Sequence, residues 1–321
     1  MPATASPITA RAIELVADRR PDAEGLGRRL AEETADPDRF AEVLRAGFAA
    51  LADPEYLAGQ RRIAPGIGDL HGVRWPLIEA IKRGFRHATR RERTSSWLFV
   101  ADRLLREPQL EARWFAFGLI ERLIVDDTER AWQLVRRAAR DAGDWITIDS
   151  LAHPVGTGVL NEEYRWAELE QLVYSPSRWE RRLVGSTIAT IPFIDRRRGR
   201  EPSVVSHALG LIRELIGDAE PDVQKALAWA LRSMAGVDRA ATTTFLDAEA
   251  TQAATDGDGH RASVIRDALS KLDPADADRI RTSLAGIRRR ADAPATSRAA
   301  ETASRFGAGL LGRPLPEPPL A

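Results

Sequence analysis

The chain is 321 residues long, carries 47 Lys+Arg against 47 Asp+Glu, and contains no cysteine. That length allows one large helical array or two ordinary domains. Zero net charge means that any DNA-binding surface must come from segregated charges, and the absence of cysteine excludes disulfides, thiol nucleophiles and thiolate metal sites. The opening Met1-Pro2-Ala3-Thr4-Ala5-Ser6-Pro7 lacks a basic flank followed by an apolar core, so no secretion signal is expected. No apolar run approaches the roughly 20 residues of a membrane span, and a cytoplasmic protein is expected. Ala, Arg, Leu, Glu and Asp dominate, with aromatics at 6%. These are helix-forming choices, and the fold class expected is all-α.

In chain order, residues 9–60 read as helices separated by short breaks, with Asp36-Pro37-Asp38 a start signal for a helix over 40–51. The stretch 61–70 holds Pro65, Gly66 and Gly68 and reads as a loop. His71-Gly72-Val73-Arg74-Trp75-Pro76 leads out of it into a periodic segment over 77–85, with Pro76 suited to a first helical turn. A basic cluster follows at 86–93, including Arg90 and Arg91. Short amphipathic helices are then expected over 93–106, 111–124, 127–141, 144–152, 163–173 and 177–190. A second basic cluster at 196–200, with Arg197 and Arg198, falls in a loop. Helices resume over 202–217, 221–234, 238–249, 260–271 and 274–290. Beyond about residue 292 the chain is rich in Ala, Thr, Ser and Pro, and an extended or loosely docked tail is expected. Helices of 12–15 residues, paired at about 35–45 residues per unit, suggest a HEAT-like α-solenoid through residue 291; a plain helical bundle also fits.

Few side chains carry obvious chemistry. The five histidines have no metal-ligand spacing, so no metal is expected, and a lone His153 beside Pro154 is expected to be structural. There is no phosphate-binding glycine loop, and no cofactor is expected. Asp256-Gly257-Asp258-Gly259 reads as a turn without the downstream Glu of a calcium loop. Of the eight tryptophans, Trp97, Trp114, Trp132 and Trp166 sit in apolar helical patterns as packing anchors. Trp145 and Asp149 are four residues apart and project from one helix face. An aromatic face and a carboxylate together can hold a cation, although a core anchor beside a solvated or hydrogen-bonding carboxylate has the same spacing.

Four segments in order resemble the DNA alkylation repair glycosylases built from HEAT-like repeats, the AlkD-like family. They are Gly72-Val73-Arg74-Trp75-Pro76, the Trp145-x-x-x-Asp149 pair, Trp179-Glu180-Arg181-Arg182-Leu183, and the helix from Val223 through Lys225 and Trp229 to Arg232. Glu111-Ala112-Arg113 is also similar, and the resemblance covers roughly residues 65–235. It implies a HEAT-like superhelix with a concave DNA-binding face. Asp149 would be the catalytic carboxylate, Trp145 and Trp229 the aromatics of the lesion-facing cleft, and Arg182 a contact to the DNA backbone. Arg181 matches the same arginine pair, and its alternative role is to brace the next repeat. Arg74 of the first motif and the clustered Arg90, Arg91, Arg197 and Arg198 are further candidates for phosphate contact. Ala228 stands where the family often has Gly, and the 196–200 cluster lengthens the interval to Trp229.

The activity so implied is hydrolysis of the N-glycosidic bond of N3- or N7-alkylated, cationic purines, including bulky adducts, without a base-enclosing pocket. The partner is double-stranded DNA carrying the lesion; no membrane partner is expected, and the protein should be a monomer that joins the nucleoid when bound. A HEAT-like scaffold that binds DNA or protein without catalysis is the alternative.

Overall fold

Aspartate and proline mark many of the helix starts, as local chemistry requires. Asp36 accepts the Arg39 N–H at 3.0 Å ahead of Pro37, and Asp53 accepts the amides of Glu55 and Tyr56 ahead of Pro54. Asp238 and Asp258 cap in the same way, through Ala241 N and Arg261 N. Each carboxylate satisfies amide donors that a first helical turn leaves unpaired. The computed structural model describes residues 7–64, 66–92, 94–290 and 292–310. Among these residues every regular element is helical, and they fall into two compact units that meet in sequence at Asn161 and Glu162.

The first unit holds α1 (Pro7–Glu32), α2 (Pro37–Leu51), α3 (Pro54–Ile63), α4 (Trp75–Ala88), α5 (Trp97–Leu104), α6 (Leu110–Asp126), α7 (Thr128–Asp141) and α8 (Trp145–Asn161). Alternate helices stack: α4 on α6 on α8, with α2, α5 and α7 forming the second layer. That pairing of alternate helices is the packing of a HEAT-like repeat array. The core between the layers is aromatic. The Phe85 ring lies 5.8 Å from Phe40, 5.0 Å from Trp97 and 6.2 Å from Phe115. α1 packs along α4, and the crossing is close enough that a Cβ on Gly84 would lie 2.2 Å from the Glu24 carbonyl oxygen.

The second unit holds α9 (Arg165–Val173), α10 (Arg178–Ile194), α11 (Pro202–Leu215), α12 (Pro221–Ala235), α13 (Arg239–Asp256), α14 (Gly259–Ala268), α15 (Pro274–Ser283) and α16 (Arg298–Leu310). Here α10, α12 and α14 stack in one layer and α11, α13 and α15 in the other, while α16 packs on α11.

Several elements differ from sequence expectation. α1 runs unbroken through Pro21, and α8 continues nine residues past its expected end at residue 152, through Pro154. One proline removes one backbone hydrogen bond; Pro154 is itself buried in α8, so packing there outweighs the loss. Within the stretch expected to be an extended tail, residues 298–310 are helical. Ser297 Oγ accepts the Ala300 N–H at the helix start, and the Ala-rich run has high helix propensity. Residues 311–321, the rest of that tail, lie outside the described residues. Conversely, the helix expected over 274–290 stops at Ser283, ahead of a turn in which Gly286 has φ +82°.

Candidate active site

Trp145 and Asp149 occupy the first turns of α8, and a buried polar relay sets that helix start. Asp144 accepts the Thr147 amide at 2.8 Å and the Thr147 hydroxyl at 2.7 Å. The Thr147 hydroxyl oxygen accepts Trp114 Nε1–H at 3.1 Å. Asp144, Thr147 and Trp114 are 8%, 3% and 2% exposed, so the relay ties the start of α8 to α6, the middle helix of its layer, rather than to solvent. Asp144 also places a negative charge at the N-terminus of α8, where the helix dipole favours it.

The two named side chains are half-buried and face an open cleft of about 540 Å³. α4 contributes Trp75, Glu79 and Lys82; α6 contributes Trp114, Phe117, Gly118 and Glu121; α8 adds Trp145, Asp149, Ser150 and His153. The Trp75 and Trp114 rings are 6.3 Å apart at 54°. Lys82 Nζ lies 5.0 Å from the Trp75 ring centre and donates to Glu79 Oε1 at 3.0 Å. His153 Nδ1 is 3.8 Å from Glu121 Oε1, with both side chains about half-exposed. The His153 imidazole, ahead of the opposing effect of burial, holds the Glu121 carboxyl below its ordinary range, with Lys82 and Arg86 adding to the same effect. Glu79, Glu121 and Asp149 are the carboxylates of the lining, and Lys82 is its ammonium.

The α4 wall is positioned from a distance. Glu111, fully buried at the start of α6, accepts the amides of His71 at 3.0 Å, Gly72 at 2.8 Å and Val73 at 3.3 Å. Gly72 takes φ +83°, and a Cβ there would meet Leu57 Cβ at 2.7 Å and the Asp53 carbonyl at 2.9 Å. Only glycine fits both constraints. The clamped loop delivers Trp75 at the first residue of α4. Arg74 is drawn back into the unit: its Nε donates to Asp53 Oδ2 at 2.7 Å and its guanidinium lies 5.0 Å from the Tyr56 ring centre. Burial of Asp53 opposes its ionisation, but the Arg74 hydrogen bond and the Tyr56 and Glu55 amides together hold the carboxyl below its ordinary value.

The remaining candidates lie in the second unit, apart from Arg90 and Arg91, which are exposed in the turn after α4. Trp229 is half-buried on the outer stripe of α12 with exposed Lys225 one turn before it. Arg182, 6% exposed on α10, donates to the Asp222 carbonyl at 2.6 Å and so ties α10 to the first turn of α12. Arg181 pairs with the buried Asp218 carboxylate at 2.6 Å and donates to the Ser175 carbonyl, a bracing arrangement. Arg197 and Arg198 are exposed beside Asp195, which accepts both their amides at 2.9 Å and Arg198 Nε at 2.8 Å. Those bonds, the Arg198 side chain first, pull the Asp195 carboxyl down to about 2.

The sequence did not single out Trp75, Lys82, Glu121 or His153 as a group, and Trp114 read only as packing. A periodicity was nevertheless present. Trp75, Trp114 and Trp145 each stand in the first two turns of alternate helices, and Glu79, Gly118 and Asp149 each follow four residues later. Among the described residues there is no helix long and apolar enough to cross a membrane, and no group of three or more His, Asp or Glu placed to hold a metal ion. No curated protein matches the chain. The family described as DNA alkylation repair enzyme matches over residues 44–272, a span that takes in the cleft, the arginine pair and the Trp229 helix, and the chain therefore belongs to the DNA alkylation repair enzyme family.

Proposed function

We propose that this protein is a DNA glycosylase that hydrolyses the N-glycosidic bond of N3- or N7-alkylated purines in duplex DNA. The observation carrying the reading is the half-buried Asp149 carboxylate in an aromatic cleft walled by Trp75, Trp114 and Trp145. Alkylation at N3 or N7 makes the base cationic, so it leaves as a neutral purine and the C1′–N bond is already weak. Positive charge then develops on the deoxyribose, and the protein must stabilise that charge and admit water. Asp149 does the first electrostatically and orients the attacking water. Trp145 packs on the sugar through its π face, a contact worth about 0.5–2 kcal/mol; for Trp229 a lesion-facing role is what the family resemblance implies. Arg182, on the helix packed against that of Trp229, is by the family resemblance the candidate for a DNA-backbone phosphate, and exposed Arg90, Arg91, Arg197 and Arg198 are further candidates for phosphate contact. The open cleft suits a lesion that is not enclosed, including one with a bulky substituent.

The test is base release from duplex DNA carrying N7-methylguanine, with wild type and Asp149→Asn in parallel. A charge within about 4 Å of the carboxylate is worth about 4 kcal/mol at an effective dielectric of 20. Half-exposure of Asp149 and partial charge at C1′ reduce that to about 2 kcal/mol, so release should fall by about thirtyfold with DNA binding retained. Binding without any release in the wild type would favour the non-catalytic scaffold.

A further inference from the structure

His153 stands on α8 one turn beyond Asp149, and both side chains line the same cleft. Its Nδ1 faces Glu121 across 3.8 Å, an arrangement in which Nδ1 carries the proton and Nε2 is the basic nitrogen. The distance is long for a hydrogen bond, as is common for catalytic pairs before substrate closes the site. The effect of the imidazole on the Glu121 carboxyl is consistent with the two groups acting as a couple.

We propose that His153 is the proton acceptor for the attacking water and that Glu121 is its positioning residue. The inference rests on the glycosylase reading and adds a residue to it. In the step, the water oxygen bonds to C1′ and one of its protons passes to His153 Nε2. The C1′–N bond breaks with its electron pair going to the purine ring, which leaves neutral. The oxygen keeps its second proton as the 1′-hydroxyl, and the imidazolium is stabilised by Glu121. Asp149 stabilises charge on the sugar and does not take the proton. The charged groups sharing the cleft with His153 are Asp149 on α8, Glu121 on α6, and Glu79 and Lys82 on α4, with Arg86 acting on Glu121; α7, the other helix packed on α8, contributes no lining residue.

The experiment is single-turnover release of N7-methylguanine from duplex DNA between pH 5 and 9, corrected for spontaneous loss and measured at saturating protein. Wild type, His153→Gln, Glu121→Gln and Asp149→Asn are compared. The expected wild-type rate rises with unit slope as the imidazole deprotonates and then levels. His153→Gln should lower the plateau by about a hundredfold and abolish the rising limb. Glu121→Gln should keep the limb but move it to lower pH, because the imidazolium loses its counter-charge; a merely structural role would not shift it. Asp149→Asn should lower the rate with the limb in place. A limb that survives in His153→Gln, or a plateau there within threefold of wild type, overturns the proposal while leaving the glycosylase reading standing. No release by the wild type removes both.

Discussion

Replacing Glu111 tests whether the cleft's first wall is held from the next repeat. Its carboxylate accepts three backbone amides, His71 on one oxygen and Gly72 and Val73 on the other, at 2.8–3.3 Å in a fully buried setting. Hydrogen bonds to a charged group contribute about 1.5–3 kcal/mol each when a single partner is deleted, because the orphaned donors stay buried. In Glu111→Gln the amide oxygen can still face Gly72 and Val73, but its NH₂ then opposes the His71 N–H. The expected loss is about 2–3 kcal/mol, and about 3–5 kcal/mol for Glu111→Ala, which strands all three donors and leaves a void. At about 2–4 °C per kcal/mol for a unit of this size, Glu111→Gln should lower Tm by about 4–12 °C. Two units can unfold in separate steps, so amide hydrogen exchange at residues 71–73 gives the local readout. Exchange there should accelerate strongly in both variants, and base release should fall as Trp75 loses its fixed position. Unchanged exchange at 71–73 together with a Tm within about 1 °C of wild type would refute the clamp.

Two more expectations follow from the charges. The folded-state carboxyl of Asp53 lies below its unfolded value of 3.8. Its contribution to stability is therefore fully present above that value and lost as pH falls through the folded value. Denaturant unfolding of wild type and Asp53→Asn should differ at pH 7, and the gap should narrow only as pH falls below 3.8; a constant gap on acidification through and below that value would contradict the assignment. For the exposed arginines, Arg90→Gln/Arg91→Gln and Arg197→Gln/Arg198→Gln should each reduce the slope of log affinity against log salt, by about 0.9 for each phosphate no longer neutralised. A pair whose removal leaves the slope unchanged is not in the DNA interface.

Local chemistry made most of the helix boundaries legible. The Asp-Pro start at 36–37 and the turn at 256–259 work within a few residues, so a sequence window contains their cause. At the end of α8 the cause of the difference lay outside the window. Pro154 reads as a helix end, yet α8 continues because residues on either side of it are buried against neighbouring helices. The Trp145–Asp149 spacing was visible because both lie on one helix. The walls opposite them were not, because the approach of α4 and α6 depends on contacts such as Glu111 to residues 71–73, some forty positions apart. The arginines divide for the same reason. Exposed Arg90 and Arg197 look no different in sequence from Arg74 and Arg181, whose partners Asp53 and Asp218 are 21 and 37 residues away.

The cleft also has a geometric origin that bears on its rigidity. Alternate helices of a repeat array lie side by side, so residues at corresponding positions of α4, α6 and α8 line one surface. A tryptophan in the early turns of each, at 75, 114 and 145, therefore becomes one aromatic wall without any loop having to fold over it. What distinguishes the three helices is the residue four positions on, Glu79, Gly118 and Asp149. Gly118 leaves room for the Lys82 side chain, since a Cβ there would lie 2.9 Å from Lys82 Cε. With Lys82 held on Glu79 and drawn over Trp75, its ammonium is engaged on the α4 side of the cleft. The repeat thus supplies the wall, and the Gly118–Lys82–Glu79 arrangement decides where along that wall the ammonium sits.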